Sequence, residues 1–243
     1  MRTAQCMHCW TDPRFQLSTV LLYANLHGEA HDNHFDYRSV IGKLNYLEKS
    51  TRGDIAYAVH QCARFMSNPK KTHAQAVKRI SRYLLAMKDK GLIIQPNTTK
   101  SFECFVDASF AGEWSKDLKD QAVTDPNLAR SHTGYLITYA GCPLTWASKL
   151  QTKISLSSTK AEMVALSLAT RECIFLLWLI QDTQSTGGLD MSLNDSKLHC
   201  RIMEDNQGTI AIADEPQIRP QTKHLTSNLL NQSSSILLFH HAI

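Results

Sequence analysis

The hydrophobic period of the chain changes at the polar run QPNTTK (95–100), and no other feature limits the fold as much. From Tyr37 up to that run apolar residues recur every three to four positions, while the residues to about His34 show no sustained period. After it SFECFVDAS alternates, with Phe102, Cys104 and Val106 on one side and Phe105 and Asp107 on the other, as a half-buried strand does. GYLITYAG and PLTWAS read as two further strands joined by a Gly141-Cys142-Pro143 turn, which makes a three-stranded meander. Between the first two strands, EWSKDLKDQAVTDPNLARSH is polar, has no period and reads as a long surface loop. A helix is predicted from about Ser158 to Gln181, with room for a break midway, and Met163, Leu166, Ala169, Cys173 and Leu177 form its apolar stripe. KLHCRIMED then reads as a fourth strand, and NQGTIAIAD as a short helix capped by Asp205 or Asn206. The order β-β-β-α-β-α belongs to an α/β domain.

The part before the switch is helical. Val40, Leu44 and Leu47 share one face, DIAYAVHQCARFM continues in the same style, and Pro69 closes the run. Thr72 then offers a cap for a helix in which Val77, Ile80, Leu84 and Met87 form a stripe opposite Lys78, Arg79 and Arg82, before Gly91 ends it. From Tyr37 to Lys90 there are twelve basic and three acidic residues, a net +9 within a chain of net +4, so the remainder sums to −5. A basic block is ordinarily a solvated face, but beside an acid-bearing block it also suits a nuclease, with one surface for phosphates and another for cations.

Seven scattered cysteines fit a reducing compartment better than a disulfide framework. Cys6, Cys9, His27 and His31 loosely resemble a zinc pattern, but the gap between the pairs is long and the run HGEAHDNH shows no packed unit, so chance spacing in an extension is the reading. No stretch approaches 18 apolar residues without charge, and MRTAQCMHCWTDPRF lacks the apolar core of a signal peptide. The expectation is an intracellular protein, in cytoplasm or nucleus, with no membrane partner.

Three acids occupy comparable places: Asp107 at the end of the first strand, Glu162 in the first turn of the long helix and Asp205 at the end of the fourth strand. Each has an ordinary alternative. Asp107 could open a turn, Asp205 could cap the short helix, and Glu162 could close a capping box, since Thr159-Lys160-Ala161-Glu162 has that spacing. With the first and fourth strands adjacent, however, both strand ends and the helix start can meet at one point. Carboxylates brought together repel unless cations lie between them, and hard divalent cations take oxygen ligands.

The runs YRSVIGKLNYL, TRGDIAYAVHQCARFMSNPKKTHAQAVKRISRYL, VDASFAGEW, RSHTGYLITYAGCPLTWASKLQTKISLSSTKAEMVAL, EDNQGTIAIA and RPQTKHL resemble, in order and spacing, the C-terminal part of a copia-type retrotransposon Pol polyprotein. The likeness covers roughly Tyr37 to Leu225 and matches the end of a reverse transcriptase followed by its ribonuclease H domain. It implies an α/β ribonuclease H-like mixed sheet with flanking helices, preceded by a small thumb- or connection-like helical module. It implies Asp107, Glu162 and Asp205 as catalytic ligands of Mg²⁺ or Mn²⁺, with His224 assisting product release or proton transfer. The substrate implied is an RNA–DNA hybrid, its backbone contacted by Lys78, Arg79 and Arg82, and the polymerase part of a Pol polyprotein is an implied partner.

The departures bear on activity. There is no Tyr-x-Asp-Asp and no Asp-Asp pair, so polymerisation is not expected of this chain. Thr226 stands where many relatives have an acid, and Lys160 and Met163 replace the residues usual around Glu162. The alternative is therefore a catalytically impaired remnant that at most binds nucleic acid. The expected organisation is an extension over 1–34, the basic helical module over 35–97, the ribonuclease H-like domain over 98–226 and a divergent tail over 227–243.

Overall fold

The computed structural model describes residues 28–31, 34–97, 99–111, 126–187, 200–214 and 237–241. They fall into two compact units, one helical and ending at Ile93, the other α/β and beginning at Ile94.

The helical unit contains α1 (Tyr37–Ser50), a 3-10 turn (Gly53–Ile55), α2 (Ala56–Ala63) and α3 (Lys71–Ala86). Asp36 starts α1 by accepting the Ser39 N–H at 3.2 Å. The buried line on α1 is Tyr37, Ile41 and Leu44, so Val40 and Leu47 flank the stripe rather than form it. Ile41, Ile55, Val59 and Ile80 are fully buried, each worth about 1.5–3 kcal/mol relative to exposure. Tyr37 donates its hydroxyl to the Cys62 carbonyl at 2.8 Å, joining α1 to α2. Arg52 holds Asp54 through Nε at 2.9 Å and Nη2 at 2.7 Å, and the Tyr83 hydroxyl donates to the same carboxylate at 2.9 Å, joining the turn to α3.

Helix α3 begins two residues earlier than a Thr72 cap would set it. The Lys70 N–H donates to Nδ1 of His73 at 3.0 Å, and the His73 ring, fully buried, stacks on Phe65 at 3.9 Å between centroids. Thr72 lies inside the first turn. Val77 and Ile80 are buried and Lys78, Arg79 and Arg82 are exposed, as the helical period requires, and the Lys78 ammonium lies 5.9 Å from the centre of the Phe35 ring. Residues 29–31, without a period in the sequence, join this unit: Ala30 bridges Lys70, the His31 N–H donates to the Pro69 carbonyl and the Lys71 N–H to the Glu29 carbonyl. His31 bonds the Phe35 carbonyl through Nε2 at 2.9 Å, while Cys6, Cys9 and His27 lie outside the described residues.

The α/β unit comprises β1 (Phe102–Ser109), β2 (His132–Tyr139), β3 (Cys142–Leu150), α4 (Ser158–Gly187), β4 (Cys200–Glu204), α5 (Gln207–Asp214) and β5 (Leu237–His241). The strand order is β3-β2-β1-β4-β5. β1 runs antiparallel to β2 and parallel to β4, and β5 lies parallel to β4. This mixed sheet with flanking helices is a ribonuclease H-like fold. Most of the loop expected between β1 and β2 lies outside the described residues, which include a 3-10 turn at Pro126–Ala129.

The β2–β3 connection is tighter than the Gly141-Cys142-Pro143 turn expected. Ala140 and Gly141 take φ of 51° and 76°, the two central positions of a type I′ hairpin, and Cys142 and Pro143 already belong to β3. Pro143 is tolerated because β3 is an edge strand and the register shifts beside it, between Ile137 and Thr138.

Helix α4 is continuous. It lays Ala161, Ala165, Ala169, Cys173 and Leu177, spaced four apart, against Phe102, Cys104, Val106, Tyr135 and Ile137 of the sheet. Over Ser158–Thr183 it is the one helix among the described residues long and apolar enough to cross a membrane by length and composition. Here one side of it is core, while Phe175, Trp178 and Leu179 are exposed. The fifth strand comes from the tail, which carries no strand pattern in the sequence.

Candidate metal centre

The parallel pairing of β1 with β4 creates the site. Phe102 pairs with Cys200 and Phe105 with Met203, so the last residues of β1 and the residue following β4 arrive at the same edge. Helix α4, crossing between them, starts at that edge too. One carboxylate oxygen from each of Asp107, Glu162 and Asp205 lies within 4.8 Å of the others. The sequence-predicted acids are thus brought together from β1, α4 and the β4–α5 turn.

Hydrogen bonds dispose of the ordinary alternatives. The N-cap of α4 is Ser157, whose Oγ accepts the Lys160 N–H at 3.2 Å while its carbonyl accepts the Ala161 N–H at 3.1 Å. Counting from that cap, Lys160 holds the third helical position and Glu162 the fifth, so Thr159 and Glu162 do not form a capping box. Helix α5 is capped by Asn206, whose Oδ1 accepts the Thr209 N–H at 3.0 Å, which leaves Asp205 unused as a cap. Asp107 lies inside β1 opposite Gly134 and opens no turn. The Thr209 hydroxyl donates to the Thr159 carbonyl at 3.4 Å and so ties α5 to the first turn of α4.

Glu162 is only 6 % exposed, and its Oε2 is buried without a hydrogen-bond partner. Burial, and then Glu204, Asp107 and Asp205, push its carboxyl up to about 8, against the Ala108 N–H that stabilises the charge. Asp107 is raised by burial first and by Asp205 second. A buried oxygen with no donor beside two exposed carboxylates is a set of hard ligands that fits a small divalent ion.

Glu204 is a fourth acid that the sequence reading passed over. It is fully buried, Oε1 accepts the Asn206 N–H at 3.1 Å, Oε2 has no partner, and burial pushes it up to about 7. Its signal was present: in β4 it shares parity with Cys200 and Ile202, the buried side of the strand. Of the other predicted site residues, Lys78, Arg79 and Arg82 lie exposed on α3 of the helical unit, while His224 and Thr226 lie outside the described residues.

No family model matches the chain. Over 189 residues, 78% of its length, it is 32% identical to the retrovirus-related Pol polyprotein from transposon TNT 1-94 of Nicotiana tabacum, and it spans 12% of that polyprotein. It is also 38% identical over 152 residues to the secreted RxLR effector protein 161 of Plasmopara viticola, covering 63% of this chain and 96% of that protein. Among solved structures, a foamy viral protease-reverse transcriptase in complex with RNA/DNA hybrid aligns at TM-score 0.45 with 12% identity, over 85% of this chain and 24% of that one. The chain belongs to the copia-type retrotransposon Pol polyproteins, as a segment of their C-terminal part with a ribonuclease H-type domain.

Proposed function

We propose that the α/β unit is a ribonuclease H that hydrolyses the RNA strand of RNA–DNA hybrids with Mg²⁺ or Mn²⁺ held by Asp107, Glu162 and Asp205. The observation that carries this reading is the convergence of three carboxylates within 4.8 Å once Ser157 and Asn206 have taken the capping roles. When bound, such cations supply an activated water and neutralise charge at the leaving oxygen. Asp107 and Asp205, both exposed, face the substrate side, whereas Glu162 offers a buried oxygen from beneath. Glu204 holds the Asn206 N–H and steadies the turn that presents Asp205. His224 is assigned to proton transfer or product release, and Lys78, Arg79 and Arg82 to backbone phosphates, which position a duplex without reading its sequence. The polymerase part of a Pol polyprotein is the proposed partner.

The second reading is a remnant that binds hybrid but cuts poorly, favoured by Thr226 standing where many relatives carry an acid. A cleavage assay on a labelled RNA–DNA hybrid with Mg²⁺ or Mn²⁺ separates the two. Cleavage that disappears in Asp107→Asn supports the nuclease, and tight hybrid binding without cleavage supports the remnant.

A further inference from the structure

We propose that Gln151 is the positioning residue of the metal centre, fixing the rotation of α4 so that Glu162 points at Asp107 and Asp205; this rests on the metal reading above. Gln151 directly follows β3 and is only 5 % exposed. Its Nε2 donates to the Thr133 hydroxyl at 3.0 Å and to the Ala161 carbonyl at 2.9 Å, and its Oε1 accepts the Ser155 hydroxyl at 3.0 Å. Its own N–H donates to the Ser131 carbonyl at 2.8 Å. One buried amide therefore joins three pieces of chain. Thr133 lies on β2 opposite Ala108, the neighbour of Asp107, Ala161 is the residue before Glu162, and Ser155 lies in the segment leading into the Ser157 cap.

The reason such a tie is needed lies in the packing. Around Glu162, α4 packs on the sheet through the small Ala161 and Ala165 together with Met163 and Leu166, apolar contacts that hold the helix close without directing the glutamate. Apolar contact is non-directional, whereas a hydrogen bond weakens steeply as it bends. A bond to the carbonyl next to Glu162 converts the position of β2 into an orientation of the glutamate. The lost bonds would also leave buried donors and acceptors unsatisfied, so the three form a network that either holds together or loosens together.

The test is Mn²⁺ binding to the full chain, followed calorimetrically, for wild type, Gln151→Leu, Glu162→Gln and the double variant. Loss of an orienting partner behind a ligand typically weakens metal binding by about 10–100-fold, and that is the fall expected for Gln151→Leu. In the Glu162→Gln background the same substitution should change affinity by less than about twofold, because the ligand it orients is already gone. A role confined to fold stability would lower the melting temperature without this dependence on Glu162. Should Gln151→Leu fail to fold, Ser155→Ala and Thr133→Val, each removing one bond, carry the same cycle with falls of several-fold. Wild-type affinity retained in these variants, or an equal loss with and without Glu162, overturns the positioning role alone. Absence of Mn²⁺ binding by the wild type overturns the metal reading together with it.

Discussion

Glu162→Gln separates a metal ligand from a structural acid in one experiment, and the structure sets the size of the effect. Folding raises the carboxyl from about 4.5 to about 8, chiefly by burial and then through Glu204. The folded chain therefore binds this proton more tightly than the unfolded chain. The resulting stability is fully present below about pH 4.5 and is lost as pH rises through about 8. At about 1.4 kcal/mol per tenfold change in proton affinity, the loss is on the order of 5 kcal/mol across that window. Glutamine carries no charge, and the capping bonds at Ser157 do not involve this side chain. Metal-free Glu162→Gln should therefore match the wild type near pH 5 and exceed it by about 2–4 kcal/mol at pH 8. At roughly 2–4 °C per kcal/mol for a chain of this size, its melting temperature should stand about 4–16 °C above the wild type. Added Mg²⁺ should narrow that gap. A ligand at one hundred times its Kd stabilises by about 2.7 kcal/mol, and the variant should gain less than half of the wild-type shift. The assay is thermal melting by circular dichroism at pH 5 and pH 8, with and without Mg²⁺. A variant less stable than wild type at pH 8 without metal would refute the repulsion argument, and equal Mg²⁺-induced shifts would refute the ligand role.

Asp107→Asn and Asp205→Asn should likewise diminish the Mg²⁺-induced shift, and pairing either with Glu162→Gln should add little, since one centre cannot be lost twice; additive losses in melting experiments would argue for separate sites. Ser157→Ala should cost about 1 kcal/mol through the lost cap, read by urea unfolding, whereas Thr159→Ala should cost less than half as much; the reverse order would restore the Thr159 capping box. Replacing Lys78, Arg79 and Arg82 together by Ala should weaken hybrid binding and reduce the slope of log K against log salt by up to about 2.7. An unchanged slope in fluorescence anisotropy titrations would make that face of α3 a solvated surface.

What could be read from the residues alone was local. The alternation of Phe102, Cys104 and Val106, the apolar stripe from Met163 to Leu177 on α4 and the basic face of α3 each depend on neighbours within a turn or a pleat, and each is found where the period places it. The three acids were legible as candidates for the same reason, since each falls at an element end, although their rival roles as caps could not be settled from spacing. A capping box read from Thr159 or from Ser157 differs by two residues, and only the accepted hydrogen bond on Ser157 decides. The two-residue turn at Ala140 and Gly141 likewise depended on backbone conformation that the sequence around it left open. Tertiary structure decided the rest, because it depends on residues far apart in the chain. The parallel pairing of β1 with β4, nearly one hundred positions later, brings Asp107 to Asp205, turns Glu204 inward and sets Gln151 beside the carbonyl that precedes Glu162. β5 has no pattern of its own; its pairing with β4 makes it a strand, since a ready-made edge supplies the hydrogen bonds that its sequence does not announce.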